Sequence, residues 1–192
     1  YKRQHLFPVD EVLSAEMAFS SPEARAERVA TLNALQEKQA GIYLLPVAAL
    51  HKRLPSKNAW VDAQLNWKIG DEIDVENLPL QLVLMGYERQ EIVAKPGEFS
   101  IRGSIVDIYP LTMEHPVRVE LFDVEIDSMR YFEAETQRSI GPTEEIWISP
   151  TSEQIYTGTD LEHGMKELEK LLEKRLATTA EKVDQVFLQD YF

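Results

Sequence analysis

The sequence has no cysteine, no Gly-Lys dipeptide and no long apolar run. Without cysteine, disulfides and thiolate zinc sites are excluded. A phosphate-binding loop of the type G-x-x-x-x-G-K-[ST] contains Gly-Lys, so an ATPase site of that kind is excluded as well. No apolar run approaches the roughly 20 residues that span a bilayer, and the N-terminal YKRQHLFP is not a signal peptide. We therefore expect a cytoplasmic protein without membrane contact.

Positive charge is scarce in one part of the chain in particular. The net charge is -13, and residues 1–63 hold 8 Lys and Arg against 7 Asp and Glu. Residues 64–153 hold 7 against 18, a net charge of -11, and residues 154–192 hold 5 against 8. Nonspecific nucleic-acid affinity depends on cations that displace counterions from phosphates. The charge distribution predicts three sections with these bounds and disfavours DNA binding by the middle one.

The first section, residues 1–63, alternates between strand and helix patterns. HLF (5–7) and IYLLPV (42–47) are typical of short strands, and a helical pattern lies between them. VAALHKRL (47–54) predicts a further short helix. This order of elements predicts a parallel sheet in an α/β domain.

Local signals give the bounds of these elements. Ser21, Pro22 and Glu23 predict a helix start, since a capping hydroxyl precedes a proline and an acid in the first turn. Gly41 is placed to end that helix. LPSKN (54–58) is the predicted boundary with the middle section.

The middle section changes to strand periodicity. A short helix is expected to start at Asp74 or at Leu78 and to end before Gly86. Four of the strand-like runs are LNWKI (65–69), VRVELF (117–122), DSMRYFE (127–133) and EEIWISP (144–150). Successive strands with short links predict an antiparallel meander, so the section is expected to be α+β.

Two further strand-like runs are YERQEIVA and EFSIRGSIVDIYP, and a turn from Lys95 to Glu98 lies between them. Pro96 and Gly97 at its two central positions are typical of a type II turn. We predict a hairpin here, with Glu91 opposite Arg102. The predicted core face holds Ile92, Ala94, Phe99, Ile101 and Ile105. The predicted polar face holds Arg89, Glu91, Val93, Ser100, Arg102 and Ser104. Pattern alone allows a solvated face with a Glu91–Arg102 ion pair or a docking patch.

The last section, residues 154–192, has helical periodicity. One apolar stripe is formed by Leu161, Met165, Leu168, Leu172 and Leu176, and a second by Val183, Val186 and Phe187. We expect the first stripe to dock on its own domain. Because the chain begins and ends close to predicted elements, we expect it to be an excised fragment.

Several runs resemble one known family. They are GYERQEIVAKPGEFSIRGSIVDIYP, PVRVELFDVEIDSMRYFEAETQRS, ISPTSE and the upstream LFPVDEVL, SSPEARAERVATLNAL and VAALHKRLP. Together, over about residues 5–155, they closely resemble the UvrB-like module at the N-terminus of bacterial transcription-repair coupling factors, the Mfd family. The excinuclease subunit UvrB shares the skeleton, but IVDIYP, FDVEIDS and TQRS look like the coupling-factor version.

The resemblance implies a fold and a role. Residues 1–63 would be part of a Rossmann-like domain 1a, residues 64–153 a UvrB domain-2-like domain that binds UvrA, and residues 154–192 the helical start of domain 1b. The fragment would be noncatalytic and would hold no cofactor. Its parent would recognise stalled RNA polymerase and translocate on DNA through motor domains that bind ATP and magnesium. Another parent domain could mask the UvrA surface.

The family's contact residues carry over to the predicted hairpin. The resemblance implies UvrA contacts at Arg89 and Arg102, and Ser100 stands where a third family arginine would be. Tyr87, Glu91 and Ser104 are weaker neighbours of the same patch. Two apolar residues are alternatives as contacts, although a core position is favoured for both: Val106 and Tyr109.

Other functions fit the sequence less well. A genuine UvrB fragment, acting as a damaged-DNA or nucleotide-binding module, is the main alternative, and it would need a phosphate-binding loop upstream of residue 1. No metal-ligand spacing connects His5, His51, His115 and His163. An EF-hand built on Asp123, Glu125 and Asp127 lacks the glycine and terminal glutamate.

Core packing rather than base stacking is expected for Trp60, Trp67, Tyr131 and Trp147. TQRS (136–139) is interpreted as a turn ordered by Gln137 and Arg138.

Overall fold

The computed structural model describes residues 3–9, 22–50, 54–155 and 163–175. The chain divides into two units, Tyr1–Ile155 and Tyr156–Phe192. In the second unit, residues 163–175 are helical and exposed. Several residues of the predicted C-terminal stripes lie outside the described residues: Leu161, Leu176, Val183, Val186 and Phe187.

The first part of the chain has the predicted strand-helix-strand order. Strands β1 (Gln4–Leu6) and β2 (Ile42–Leu44) pair in parallel, with His5 opposite Tyr43. Helix α1 (Pro22–Gln36) lies between them in sequence, and its first residue is the predicted one. A 3₁₀ helix, Val47–Leu50, begins where a short helix was expected. The α/β prediction for this section is confirmed.

Gly41 does not end α1, contrary to the prediction. The helix ends at Gln36, and Lys38 follows it in the left-handed region with φ 54°. Gly41 instead lies against β1, where an added Cβ would come within 2.7 Å of the Arg3 carbonyl oxygen and 2.8 Å of the His5 ring. The glycine is required by the close approach of two strands.

A short helix that the sequence analysis did not predict, α2 (Lys57–Asp62), follows the 3₁₀ helix. The Ser56 hydroxyl caps it by accepting a hydrogen bond from the Ala59 N–H at 3.2 Å. Trp60 on this helix is buried, and its indole N–H donates to Asn33 of α1 at 3.0 Å. The last three residues of the LPSKN run (54–58) therefore cap and begin helix α2, which packs against α1.

The middle of the chain forms a six-stranded sheet beside helix α3 (Leu78–Leu84), which starts at one of the two predicted residues. The strands of this sheet are β4 (Glu88–Arg89), β5 (Glu98–Arg102), β6 (Ile105–Ile108), β7 (Val117–Phe122), β8 (Glu125–Phe132) and β9 (Ser139–Pro142). Their order in the sheet is β4-β5-β6-β7-β8-β9, and β5 to β9 are antiparallel neighbours as predicted. A separate antiparallel pair is formed by β3 (Leu65–Lys68) and β10 (Glu145–Ile148).

The predicted hairpin around Gly97 is wrong. The turn itself is present, because the Glu98 N–H donates to the Lys95 carbonyl at 3.2 Å and Gly97 has φ 90°. However, β4 runs parallel to β5, with Arg89 opposite Phe99. The Glu98 carboxylate accepts hydrogen bonds from the Ala94 and Lys95 amides, which holds the preceding residues in a loop.

The hairpin that does form joins β5 and β6. It turns at Gly103, which has φ 60°, and pairs Arg102 with Ile105 and Phe99 with Ile108. In the loop that precedes β5, Val93 is buried and Ile92 is 58% exposed. The predicted polar position of Val93 and the predicted core position of Ile92 are both wrong.

One face of the six-stranded sheet is the main hydrophobic core. Side chains from β5 to β8 pack there with those of α3 and of the β3–β10 pair, including Phe99, Val106, Ile108, Val119, Leu78, Leu82, Trp67 and Ile146. Burying this many aliphatic and aromatic side chains is the dominant stabilising term for such a layer. The opposite face is consequently the place for charged side chains.

The first and middle sections are joined by buried polar contacts. Arg28 on α1 and Glu153 after β10 form an ion pair at 2.6 Å, with side chains 1% and 4% exposed. Arg28 also donates to the Pro8 carbonyl at 2.6 Å and stacks over the Phe7 ring at 3.9 Å. A small apolar cluster containing Val29, Trp60 and Leu111 spans the same junction.

Candidate partner-binding surface

An open groove of about 630 Å³ lies beside β4 and β5. We call it the arginine groove, and its lining residues are Arg89, Gln90, Glu91, Ile92, Ser100, Ile101 and Arg102. The two arginines singled out from the sequence therefore line one surface, although the predicted hairpin register is wrong. They come together because β4 lies in parallel beside β5.

Arg89 is exposed at the end of β4, and among the described residues it has no ion-pair partner. Arg102, the last residue of β5, has a side chain that is 49% exposed. Its guanidinium donates to the Asp107 carboxylate at 2.7 Å. The predicted Glu91–Arg102 pair is thus replaced by an Arg102–Asp107 pair, because β6 and not residues 90–94 is the antiparallel neighbour of β5.

The remaining predicted contact residues are placed differently. Glu91 and Ser104 are exposed, as expected for a surface. Ser100 lines the groove but is buried, and its hydroxyl donates to the Glu91 carbonyl at 3.0 Å. Tyr87 is also buried, and its hydroxyl donates to the Ser149 carbonyl at 2.8 Å. Tyr87 is therefore not among the residues that line the groove, and burial raises the pKa of its phenol.

The two apolar alternatives also differ from each other. Val106 is buried in the core, as favoured from the sequence. Tyr109 is only partly buried, and its hydroxyl donates to the Glu114 carbonyl at 2.6 Å. Desolvation, together with the charges of Glu114 and Glu133, raises the Tyr109 pKa. We find no role for Tyr109 in the arginine groove.

A charged ladder, which the sequence analysis missed, crosses the polar face of the sheet next to the groove. The Asp107 carboxylate is 1% exposed and accepts two hydrogen bonds from Arg118, at 2.6 Å and 2.8 Å. The register places Arg118 opposite both Asp107 and Arg130. Arg130 in turn donates to Glu120 at 2.6 Å. Asp107 on β6 is thus shared by arginines of the two strands that flank it, Arg102 of β5 and Arg118 of β7.

These contacts change the pKa values of two side chains in the ladder, Arg118 and Glu120. The hydrogen bond from Arg118 to Asp107 raises the arginine's pKa above its ordinary value. The hydrogen bond from Arg130, supported by one from Ser128, lowers the pKa of Glu120. Both pKa shifts favour the charged forms of these two side chains, Arg118 and Glu120.

Gln137 anchors one end of the ladder. Its amide oxygen accepts a hydrogen bond from Arg118 at 3.1 Å, while its amide nitrogen donates to the carbonyls of Val93 at 3.0 Å and Ala134 at 2.8 Å. Arg118 also lies over the Phe132 ring, 4.6 Å from its centroid. The TQRS run therefore does order a turn, and through Val93 it also holds the segment that carries Ile92.

The sequence contained one signal for these missed residues. Gly103-Ser104 is a two-residue turn pair between strand-like runs, and choosing it would have placed Arg102 and Asp107 on one face. No pattern in the sequence indicates that the Asp107 side chain is buried. Ile92 was assigned to the core from the wrong register, although it is an exposed apolar residue of the groove.

Among residues 3–9, 22–50, 54–155 and 163–175, no group of three or more His, Asp or Glu could hold a metal ion. In that same part of the chain no helix is long and apolar enough to cross a bilayer. Within the larger unit, Trp67 is buried in the core, whereas Trp147 is exposed on β10.

Residues 65–154, which include the groove and the ladder, match the family model described as the UvrB interaction domain. The middle of the chain belongs to the UvrB interaction domain family. Its core sheet, its arginine groove and its charged ladder all lie within the matched residues. The alignment includes the β3–β10 pair and ends one residue after Glu153.

The chain around the UvrB interaction domain is similar to known coupling factors. It is 44% identical over 164 residues to the transcription-repair-coupling factor of Bacillus subtilis, an alignment that covers 85% of this chain and 14% of the relative. It is 40% identical over 184 residues to that of Staphylococcus haemolyticus, covering 96% of this chain and 15% of the relative. The protein of Staphylococcus aureus strain bovine RF122 / ET3-1 gives the same identity and coverage. The resemblance inferred from the sequence is confirmed, and the chain spans about one seventh of these relatives.

Proposed function

We propose that this chain is a recruitment module of a transcription-repair coupling factor and that its UvrB interaction domain binds UvrA through the arginine groove. The observation that carries the proposal is the joint placement of Arg89 and Arg102. These two residues match the contact arginines that the family resemblance implies, and they line one open groove. The similarity to coupling factors supplies the biological setting.

The chemistry of the groove fits an acidic partner surface. A guanidinium donates several hydrogen bonds in a plane and suits carboxylates, and arginine is enriched at protein interfaces. Ile92 adds an exposed apolar side chain among the polar lining residues. An apolar centre with a polar rim is the usual arrangement of a protein–protein interface. Charge complementarity over this local patch, rather than the net charge of the domain, would supply the attraction to an acidic partner.

The wider role follows from the family. We propose that the longer protein links stalled RNA polymerase to nucleotide excision repair and moves on DNA with ATP and magnesium bound elsewhere in its chain. The part present here would be noncatalytic, would need no cofactor and would act in the cytoplasm. Its contribution would be to bring UvrA to the site.

A titration against purified UvrA tests the proposal. Wild-type chain and the variant Arg89→Ala/Arg102→Ala are compared at two salt concentrations by isothermal titration calorimetry. We expect wild-type binding to weaken with salt, because exposed charges are screened. Arg102→Ala alone is expected to cost about 1–4 kcal/mol of binding free energy, as for an interface hot spot.

A charge-matched control separates local contact from net charge. Lys57→Ala/Lys166→Ala also removes two exposed cations, and neither residue belongs to the UvrB interaction domain. We expect this control to bind UvrA like the wild type. Equal loss of affinity in both double variants, or wild-type affinity in the groove variant, would contradict the assignment of the groove.

A further inference from the structure

Arg102 is placed where its side chain would ordinarily be mobile. It is the last residue of β5, it precedes the turn at Gly103, and about half of its side chain is exposed. A free arginine loses rotamer entropy when a partner immobilises it, and that loss subtracts from the binding free energy. A residue that fixes Arg102 before binding would therefore strengthen the complex.

Asp107 provides that constraint. Its carboxylate is buried to 1% exposure and accepts a hydrogen bond from Nη2 of Arg102 at 2.7 Å. Within the described residues, no hydrogen bond is made by Nε or Nη1 of Arg102. These two atoms are left to donate to a partner carboxylate. The contact thus fixes the guanidinium without occupying all of its donors.

Asp107 is itself held from the other side. Arg118 binds it with two hydrogen bonds, and Arg118 is fixed by Gln137 at 3.1 Å and by the ring of Phe132. One carboxylate is therefore shared by two guanidinium groups, so the cluster of Arg102, Asp107 and Arg118 keeps one net positive charge. Pairing with Asp107 orients Arg102 without cancelling the attraction to an anionic partner.

We propose that Asp107 is a positioning residue for partner binding, which acts by holding Arg102 in the arginine groove. The inference rests on the proposed binding of UvrA through this groove. It assigns Asp107 a role beyond that of a buried structural charge, because its effect on affinity passes through the Arg102 side chain.

A double-mutant cycle between Asp107 and Arg102 tests the inference. UvrA affinity is measured for the wild type, Asp107→Asn, Arg102→Ala and the double variant. We expect Asp107→Asn to weaken binding roughly 3- to 30-fold in the wild-type background, a value within the range of coupling between residues in contact. In the Arg102→Ala background the same substitution should have no further effect. Glu145→Gln is the matched control, since it breaks the exposed Lys68–Glu145 pair, whose residues belong neither to the groove nor to the ladder, and should leave affinity unchanged.

A second readout does not need UvrA. The side-chain ¹⁵Nε heteronuclear NOE of Arg102 should be high in the wild type and should fall in Asp107→Asn. If Asp107→Asn does not fold, Arg118→Lys replaces it in both measurements, because lysine keeps the charge but cannot bind Asp107 with the same two-bond geometry. Its effect on affinity should likewise vanish in the Arg102→Ala background.

The outcomes separate this inference from the proposed function. If the wild type does not bind UvrA, the proposed function fails and this inference fails with it. If the wild type binds and Arg102→Ala weakens binding, but Asp107→Asn has the same effect in both backgrounds or no effect in either, only the positioning role is overturned. Arg102 that is equally mobile in the wild type and in Asp107→Asn would overturn it as well.

Discussion

Replacing Arg118 by alanine should destabilise the larger unit substantially. The substitution removes both Arg118 hydrogen bonds to Asp107, the contact with Gln137 and the packing over Phe132. Asp107 stays buried, with Arg102 as its remaining ion-pair partner among the described residues. Breaking a buried ion pair from one side costs about 3–5 kcal/mol. Because Arg102 still pairs with the Asp107 carboxylate, we expect a loss of unfolding free energy at the lower end of this range, about 3 kcal/mol.

Urea unfolding followed by tryptophan fluorescence measures this effect. All three tryptophans, Trp60, Trp67 and Trp147, lie in the larger unit and report on its unfolding. In a thermal scan, the same loss should lower Tm by about 6–12 °C for a chain of this size.

Arg130→Ala is the control, because its partner Glu120 is 37% exposed and such pairs contribute less than about 1 kcal/mol. A loss for Arg118→Ala below about 1 kcal/mol, or no larger than that for Arg130→Ala, would refute the reasoning about a buried shared carboxylate.

Two further predictions concern pH and backbone conformation. The hydrogen bond from Arg130 lowers the pKa of Glu120, so the stabilisation by this pair is present above the ordinary glutamate pKa and is lost as pH falls through the lowered value. The difference in unfolding free energy between wild type and Glu120→Gln should therefore shrink in urea titrations below about pH 4, and a constant difference would contradict the shift. Gly86→Ala should lower the free energy of unfolding by at least about 1 kcal/mol more than Gly103→Ala does. Both glycines have positive φ, but only at Gly86 would the new Cβ collide with the buried Thr151 side chain. Equal urea midpoints for the two variants would show that the collision is relieved.

The strands of the middle section could be predicted because their periodicity is local. VRVELF and DSMRYFE alternate cleanly, and both form the expected strands. The hairpin was misplaced because two turn signals, at Gly97 and at Gly103, compete within eight residues. Each of the two turns is present in the structure, but only the pairing of β5 with β6 buries Phe99 and Val106 together. Long-range burial decided between the two local signals, and the sequence pattern did not contain that information.

The candidate site was predictable in its residues more than in its geometry. Arg89 and Arg102 line one groove because β4 lies beside β5 in parallel, an arrangement that no short-range pattern indicates. The role of Asp107 depends on its burial between β5 and β7, and an aspartate in a strand gives no sign of its neighbours. The identity of a charged residue is visible in a sequence, whereas its ion-pair partner depends on strand register.

The buried pair of Arg28 and Glu153 limits how this module can be exchanged between proteins. The residues of the matched family domain include Glu153, but its partner lies more than a hundred positions earlier in the chain. A graft of residues 65–154 alone onto another scaffold would contain Glu153 without Arg28, the residue that pairs with its buried carboxylate. Transplantation would therefore require either the preceding α/β segment with Arg28 or a neutral side chain at position 153. The UvrB interaction domain and the α/β segment that precedes it would, in this respect, have to be transferred together.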